Sequence, residues 1–267
     1  YRPDLSRAET PGQIGQGSTV ESINRVRDEM LDQRIVAQSN QESYWDTRSH
    51  YYTMIEQVYN EPDEVSVRTT MDKFWESWQE LSLNPESTAN RQAVVTRGQS
   101  LINSIRNPDA ALTGIGNLLN SDIETNVKQL NDYANQIAKL NTEIVRSRAM
   151  GDNPNDLLDR RDAVVEKLSK IANITTDQRD PDEFMVHIEG KVLVQGNVAR
   201  NFEVAPVLDN YGYSQVIWQD TKELAVVKGG SLGALIELRD VDVRHEIQSL
   251  NTMTMNFSDL VNDVHRN

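Results

Sequence analysis

The stretch GDNPNDLLDRRDAVVEKL, residues 151–168, sets Asp152, Asp156, Asp159 and Asp162 beside Asn153 and Asn155. Carboxylate and amide oxygens at this density are what a hard cation such as Ca²⁺ takes as ligands. A calcium loop of the EF-hand type also needs an oxygen ligand at its third place and a glycine at its sixth. Counted from Asp152, those places hold Pro154 and Leu157, so the template fails at both. The same residues suit a helix start, with Asn153 as N-cap, Pro154 at the first helical position and Asp156 near the positive end of the dipole. Leu157, Leu158, Val164, Val165, Leu168 and Ile171 then form a stripe to bury, leaving Arg160 and Arg161 as intrahelical or intersubunit partners.

The other chemistry-bearing groups are weaker. His245 and Glu246 begin an H-E-x-x-H zinc signature, but position 249 is serine and the second ligand is missing. His50, His187 and His265 have no carboxylate or histidine at a ligand spacing that would raise them above background, which places them on solvated or helix-packing faces. GQIGQG, GIGNLL and GGSLG do not complete a phosphate-cradling G-x-G-x-x-G, and no βαβ alternation surrounds them. Gly229, Gly230 and Gly233 instead let the chain turn into its last helix, and SLG carries no G-x-S-x-G elbow. Trp45, Tyr52, Phe74, Trp75 and Trp78 could form a carbohydrate platform, yet their spacings of three, four and seven point to helix packing. Cysteine is absent, which excludes disulfides, thiolate metal sites and thiol nucleophiles. No catalytic residue, cofactor-binding residue or metal ligand is assigned, and no enzyme is expected.

The elements that carry these residues are mainly helical. Of 267 residues, 37% are hydrophobic and 25% charged, lean for a globule and suited to long helices with one wet side. A formal charge of -14, spread along the chain, repels phosphate backbones, so no nucleic-acid partner is expected. No apolar run approaches the roughly 18 residues of a membrane span, so no membrane partner is expected either.

Residues 1–27 read as an irregular or hairpin-like lead-in, with STVESINRV alternating as a short strand before Asp28 as a helix N-cap. Leu31, Gln38, Trp45, Tyr52 and Tyr59, seven apart, predict one long helix with a partly polar, aromatic seam. Val67, Met71, Phe74, Trp75, Trp78 and Leu81 predict a second helix, stopped at Asn84 and Pro85. A third starts near Ser87, and Pro108 should kink or break it before the stripe from Leu112 to Ile144 resumes. After Ile171 the period changes to two in EFMVHI, KVLVQG, NFEVAP and SQVIW, which read as short antiparallel strands. Ile236, Val243, Leu250, Phe257 and Val264 then restore a heptad seam with Leu232, Met253 and Leu260 beside it. The expected fold is an elongated bundle of long antiparallel helices with a small antiparallel β insertion. Its parts are the lead-in at 1–27, a helical rod at 28–172 completed by 230–267, and a β subdomain at 173–229.

Several stretches together resemble the bacterial flagellar hook-associated protein 1 family, FlgK. YRPDL resembles the family's G-Y-x-R-Q segment, with Pro3 and Asp4 departing from it, and GQGSTVESINRVRDEMLDQRI resembles the stretch that follows. NPESTANRQAVV is similar to the turn into the family's long helix, with Arg91 and Gln92 matching. LNDYANQIAKLNTEI, NPNDLLDRRDAVVEKLSKI, LVQGNVAR and GGSLGALIELRDVDV complete the series in the family's order. The family's terminal helices, which pair as an inner coiled coil, and an outer β region have no counterpart here, so the chain is expected to be a central piece. The resemblance implies a secreted structural subunit of the flagellum, outside the cell or in a periplasm, exported unfolded through the flagellar apparatus. It would self-associate in a ring at the hook end, forming the hook–filament junction. It implies as partners the hook protein, the next hook-associated protein or filament, and an export chaperone bound through the missing regions. The rivals are flagellin or the third hook-associated protein and, from another class, a calcium-dependent binding module using Asp152, Asp156, Asp159 and Asp162. Calorimetric titration with Ca²⁺ checks the last; no binding tighter than micromolar is expected.

Overall fold

The computed structural model describes residues 4–5, 18–19, 29–59, 65–180, 183–207, 210 and 212–266. In chain order the elements are β1 (Asp4–Leu5), β2 (Ser18–Thr19), α1 (Glu29–Tyr59), α2 (Val67–Leu83), α3 (Thr88–Ala149) and α4 (Asn155–Ile171). They continue as β3 (Ile174–Asp180), β4 (Glu183–Ile188), β5 (Lys191–Gln195), β6 (Val198–Ala199), β7 (Phe202–Pro206), β8 (Ser214–Trp218), α5 (Gly230–Glu237) and α6 (Val243–Arg266). The fold is mainly helical with a small antiparallel β insertion. β1 and β2 pair antiparallel; the remainder of the lead-in, with GQIGQG and the expected N-cap Asp28, lies outside the described residues. Among the described residues no helix is long and apolar enough to cross a membrane.

Two compact units can be told apart. The first holds Tyr1–Gln41, Lys128–Glu203 and Ile217–Gly230; the second holds Glu42–Val127, Val204–Val216 and Ser231–Asn267.

In the second unit, α2 starts where Ser66 caps the Thr69 N–H at 3.2 Å. The turn at Asn84 and Pro85 is closed by Arg91, whose Nε and Nη2 donate to the Pro85 carbonyl at 3.1 and 2.8 Å. Thr70 meets Ser104, Phe74 lies against Gly98, and Asn90 reaches the Glu80 carbonyl, so α2 and α3 run in opposite directions. Phe74, Val94 and Leu101 centre their contact, with Trp75, Phe257 and Val261 packed around it.

Proline does not break α3. The helix is continuous from Thr88 to Ala149 with Pro108 inside it, so of the kink or break expected there the break does not occur. A mid-helix proline costs about 3 kcal/mol through its missing N–H and ring clash. Against that stand Leu101, Leu112, Ile115 and Leu119, all less than 9% exposed on either side of the proline. Burying each such side chain contributes roughly 1.5–3 kcal/mol, and an unbroken helix keeps them on one face.

The seam expected on α1 is largely outside. Leu31, Trp45, Tyr52 and Tyr59 are 55%, 63%, 38% and 48% exposed, while the covered residues are Ser39, Asn40, Arg48, Tyr51 and Ile55. Seven-residue periodicity marks a stripe without saying that it faces a core, and here the inward stripe is polar and held by hydrogen bonds. On α6 the expected seam is buried at Val243 and Leu250 and partly buried at Phe257, but Leu260 and Val264 are exposed. The predicted single helix from Gly230 also contains a π-helical turn, Leu238–Asp242, between α5 and α6.

In the first unit, the α3 positions Leu130, Ala134, Ile137 and Ile144 and the α4 positions Val164, Val165, Leu168 and Ile171 are buried. Helix α4 begins one residue later than expected: Pro154, not Asn153, is its N-cap. The ψ of 50° at Pro154 keeps it outside the helix while its carbonyl accepts the Leu158 N–H at 3.0 Å. The four strands predicted after Ile171 are present as β4, β5, β7 and β8, and the structure adds β3 and β6. β3 lies at the edge of the sheet β3-β4-β5-β6, where a polar run such as ITTDQRD is tolerated because one side faces no partner strand. Gly229 and Gly230 make the expected turn with φ of 62° and 57°; a Cβ at Gly230 would sit 2.4 Å from the Ile171 carbonyl.

Replacing the helix-breaking ring tests the balance at Pro108 directly. Pro108→Ala should raise the free energy of urea unfolding by about 1–3 kcal/mol. A loss of stability would mean that contacts of the buried ring outweigh the repaired backbone.

Candidate functional site

The inward stripe of α1 repeats at four, four, three and four residues, as Asn40, Tyr44, Arg48, Tyr51 and Ile55, so a helix sets all five on one face. In the second unit its polar members meet carboxylates of other elements. Arg48 is 9% exposed; its Nη2 donates to Asp242 Oδ2 at 2.9 Å and to the Tyr52 hydroxyl at 2.6 Å. Its Nη1 lies 3.1 Å from Glu237 Oε1, and the Tyr44 hydroxyl donates to Glu237 Oε2 at 2.6 Å. Tyr51 donates to Asp122 of α3, and Tyr59 to Glu246 of α6 at 2.9 Å. Because 44, 48 and 59 meet 237, 242 and 246 in rising order, α1 and the α5–α6 run point the same way.

A second arginine closes the other side of the π turn. Arg239, 2% exposed, donates from Nη1 to Asn120 Oδ1 and to the Ser214 carbonyl, each at 2.8 Å, and its Nε and Nη2 meet Asp240. Asn120 Oδ1 also takes the Ser214 N–H at 3.0 Å, and Ser231 donates to Asn126 at 2.6 Å. The pairs 126–231 and 120–239 show α3 antiparallel to the run of α5 and the π turn. Tyr213 packs close to α3 at Gly116, where a Cβ would fall 2.2 Å from its hydroxyl oxygen.

The first unit uses side-chain amides in the same way. Asn131 both donates to the Phe202 carbonyl and accepts its N–H at 2.8 Å, standing in for a neighbouring strand. Asn141 donates to the Gly196 carbonyl at 2.8 Å, and Asn40 to the Ser169 carbonyl at 2.8 Å. Arg161 is not the surface residue expected: it is 4% exposed, with its guanidinium 3.8 Å from the Phe184 ring centroid and Nη1 on Asn141. Arg200, two residues before β7, lies 4.2 Å from the Trp218 ring centroid and binds Asp220 through two nitrogens.

Burial and bonding shift several of these groups. Burial first, then the hydrogen bond to Glu246, pushes the Tyr59 hydroxyl up to about 12. Burial, with Asp122 adding to it, raises Tyr51 further, and burial with Glu237 raises Tyr44. Burial opposes the charge on Arg48, yet the attraction of Asp242 and of the Tyr44 and Tyr52 oxygens outweighs it and the pKa is raised. None of these groups is a nucleophile poised beside a base. What the constellation can do is hold helices in fixed register.

The residues singled out from sequence are not gathered. Asp152, Asp156 and Asp159 are exposed on the α4 start, and among the described residues no three His, Cys, Asp or Glu side chains come together as a metal site. Glu246 binds Tyr59 rather than serving His245, which is exposed, as are His50 and His265; His187 is half-buried in β4. GIGNLL lies inside α3. Phe74 is in the core with Trp75 against it, whereas Trp45 is on the surface. Arg48, Arg239, Asn120, Asn131 and Asn141 went unnoticed in the sequence. The available signal was an arginine falling within a helical stripe, as Arg239 does after Leu232, Leu235 and Leu238.

Residues 52–267 match the model of the flagellar hook-associated protein FlgK helical domain. The chain belongs to the FlgK family. It is 30% identical over 263 residues to flagellar hook-associated protein 1 of Salmonella typhimurium, covering 95% of this chain and 47% of that protein. It is 29% identical over 297 residues to the Bacillus subtilis protein of the same name, covering 100% of this chain and 59% of that one. The chain thus spans about half the length of the curated relatives it matches. The structure of the flagellar hook junction protein FlgK from Burkholderia pseudomallei superposes with a TM-score of 0.68 at 23% identity, over 77% of this chain and 38% of that one, and shares its fold. FlgK membership sets aside flagellin and the third hook-associated protein. The family is one of structural flagellar proteins.

The raised tyrosines make stability fall at alkaline pH. Each folded pKa lies above the unfolded value of about 10, so the unfolded chain releases protons that the native one keeps. Their contribution is full below pH ~10 and is lost as pH rises through the folded pKa, about 12 for Tyr59. Thermal unfolding between these values should show a falling midpoint, with a shallower fall in Tyr59→Phe.

Proposed function

We propose that this chain is the helical part of a structural, non-enzymatic subunit at the hook–filament junction of the bacterial flagellum. The observation that carries the reading is the match of residues 52–267 to the FlgK helical domain. The geometry agrees with it: the buried polar side chains of the second unit are spent on joining helices to one another, which gives a subunit a defined surface. A net charge of -14 further argues against nucleic acid as a partner. The subunit is exported through the flagellar apparatus and packs against copies of itself in a ring at the hook end. Its other neighbours are the hook protein on one side and the next hook-associated protein or filament on the other, with an export chaperone before assembly.

Immunogold labelling of the full gene product on isolated hook–basal bodies tests the placement. Label is expected at the distal end of the hook, and deletion of the gene should leave hooks without filaments. Label along the filament, or filaments of normal length in the deletion strain, would overturn the reading.

A further inference from the structure

The π turn at Leu238–Asp242 interrupts what is otherwise one helical run from Gly230 to Arg266, with the Val243 N–H bonded to the Leu238 carbonyl five residues back. Such turns insert one residue's worth of chain into an α-helix and stand only where the surroundings favour them. Arg48 supplies that preference. Its guanidinium holds Glu237 and Asp242 together, at 3.1 and 2.9 Å. These residues are five apart, and on an α-helix they would point about 140° away from each other, out of reach of one guanidinium. Closing five-residue hydrogen bonds brings them onto one face. Arg48 is therefore complementary to the π form of this segment and not to the α form.

The form of this turn decides which face of α6 meets the rest of the second unit. If the segment rewound as α-helix, every residue beyond Asp242 would turn by about 100°, the rotation of one residue. Phe257, whose ring centroid lies 6.0 Å from that of Phe74 and 5.8 Å from that of Trp75, would leave the cluster with Val261. Arg239, through Asn120 and the Ser214 carbonyl, fixes the start of the turn and not its exit, whereas the Tyr59–Glu246 and Arg244–Asn210 bonds lie on α6 beyond the turn and would break with the rotation. Val241, at the outer side of the turn, is 57% exposed and is the residue whose removal would convert it to regular helix.

We propose that Arg48, by holding Glu237 and Asp242 on one face, is a register lock that selects the π turn and so sets the face of α6 turned toward Phe74. Release of the lock gives the subunit a second register of α6, with a different surface for its neighbours.

The cysteine-free chain allows spin labels at Gln99→Cys on α3 and Asn256→Cys on α6, both exposed positions, with their separation measured by pulsed dipolar spectroscopy. The parent should show one separation. Arg48→Met should add a second population displaced on the order of 10 Å, since α6 turns by about 100° on a helix some 10 Å across. Deleting Val241 in the Arg48→Met background should restore the parent separation, because the phase of α6 then no longer depends on a π turn. Asp242→Asn, which keeps shape and removes charge, should give a smaller second population and reads the lock should Arg48→Met fail to fold. An unchanged distribution in the folded variants, or a second population that deletion of Val241 does not remove, would overturn the proposal.

Discussion

Continuity of α3 is the constraint from which the rest follows. Leu112, Leu119, Ile123, Leu130, Ala134 and Ile137 are fully buried along its length. Their spacings of three, four and seven keep the residues within each compact unit on one helix face only while the helix is unbroken. The strength of that stripe explains why a proline is carried in mid-helix and why the neighbouring elements are ordered by where they meet it.

Apolar burial of this kind is permissive, since a leucine stripe can slide by a heptad with little change in contact area. The buried polar groups are less forgiving. A hydrogen bond between Asn120 and Arg239, or Asn131 and Phe202, is satisfied at one register alone, and a buried arginine left without its carboxylate is strongly destabilising. The units thus divide the task, with hydrophobic stripes driving association and amide, tyrosine and arginine contacts choosing the alignment. This matters beyond stability, because the outer surface of each unit follows from how its helices are aligned.

The helices were legible because their stripes are long: α2 ends at its predicted Asn-Pro signal, and α3 starts at Thr88, next to the predicted Ser87. Strands β4, β5, β7 and β8 were legible from β-branched and aromatic alternation. β3 was not, since an edge strand bears no obligation to alternate. On α1 the visible aromatic heptad misled, because tryptophan and tyrosine at Trp45 and Tyr52 mark a stripe equally well whether a core or solvent covers it. The inward stripe of Asn40, Arg48 and Tyr51 has no apolar pattern to detect. The acidic run at 151–168 is the start of a helix, displaced by a single residue from the expected cap.

Local chemistry, then, determined by itself the mainly helical class, the positions of most elements, and a family resemblance carried by strings such as NPNDLLDRRD. These depend on periodicity, turn residues and residue identity, all of which act within a few positions of the chain. Tertiary structure alone decided that Pro108 would be absorbed, that Arg48, Arg161 and Arg239 would be buried, and that the run from Gly230 would contain a π turn. Each of these is locally unfavourable and is stabilised by groups distant in sequence, Asn120 and Ser214 for Arg239, Glu237 and Asp242 for Arg48, which no local pattern announces.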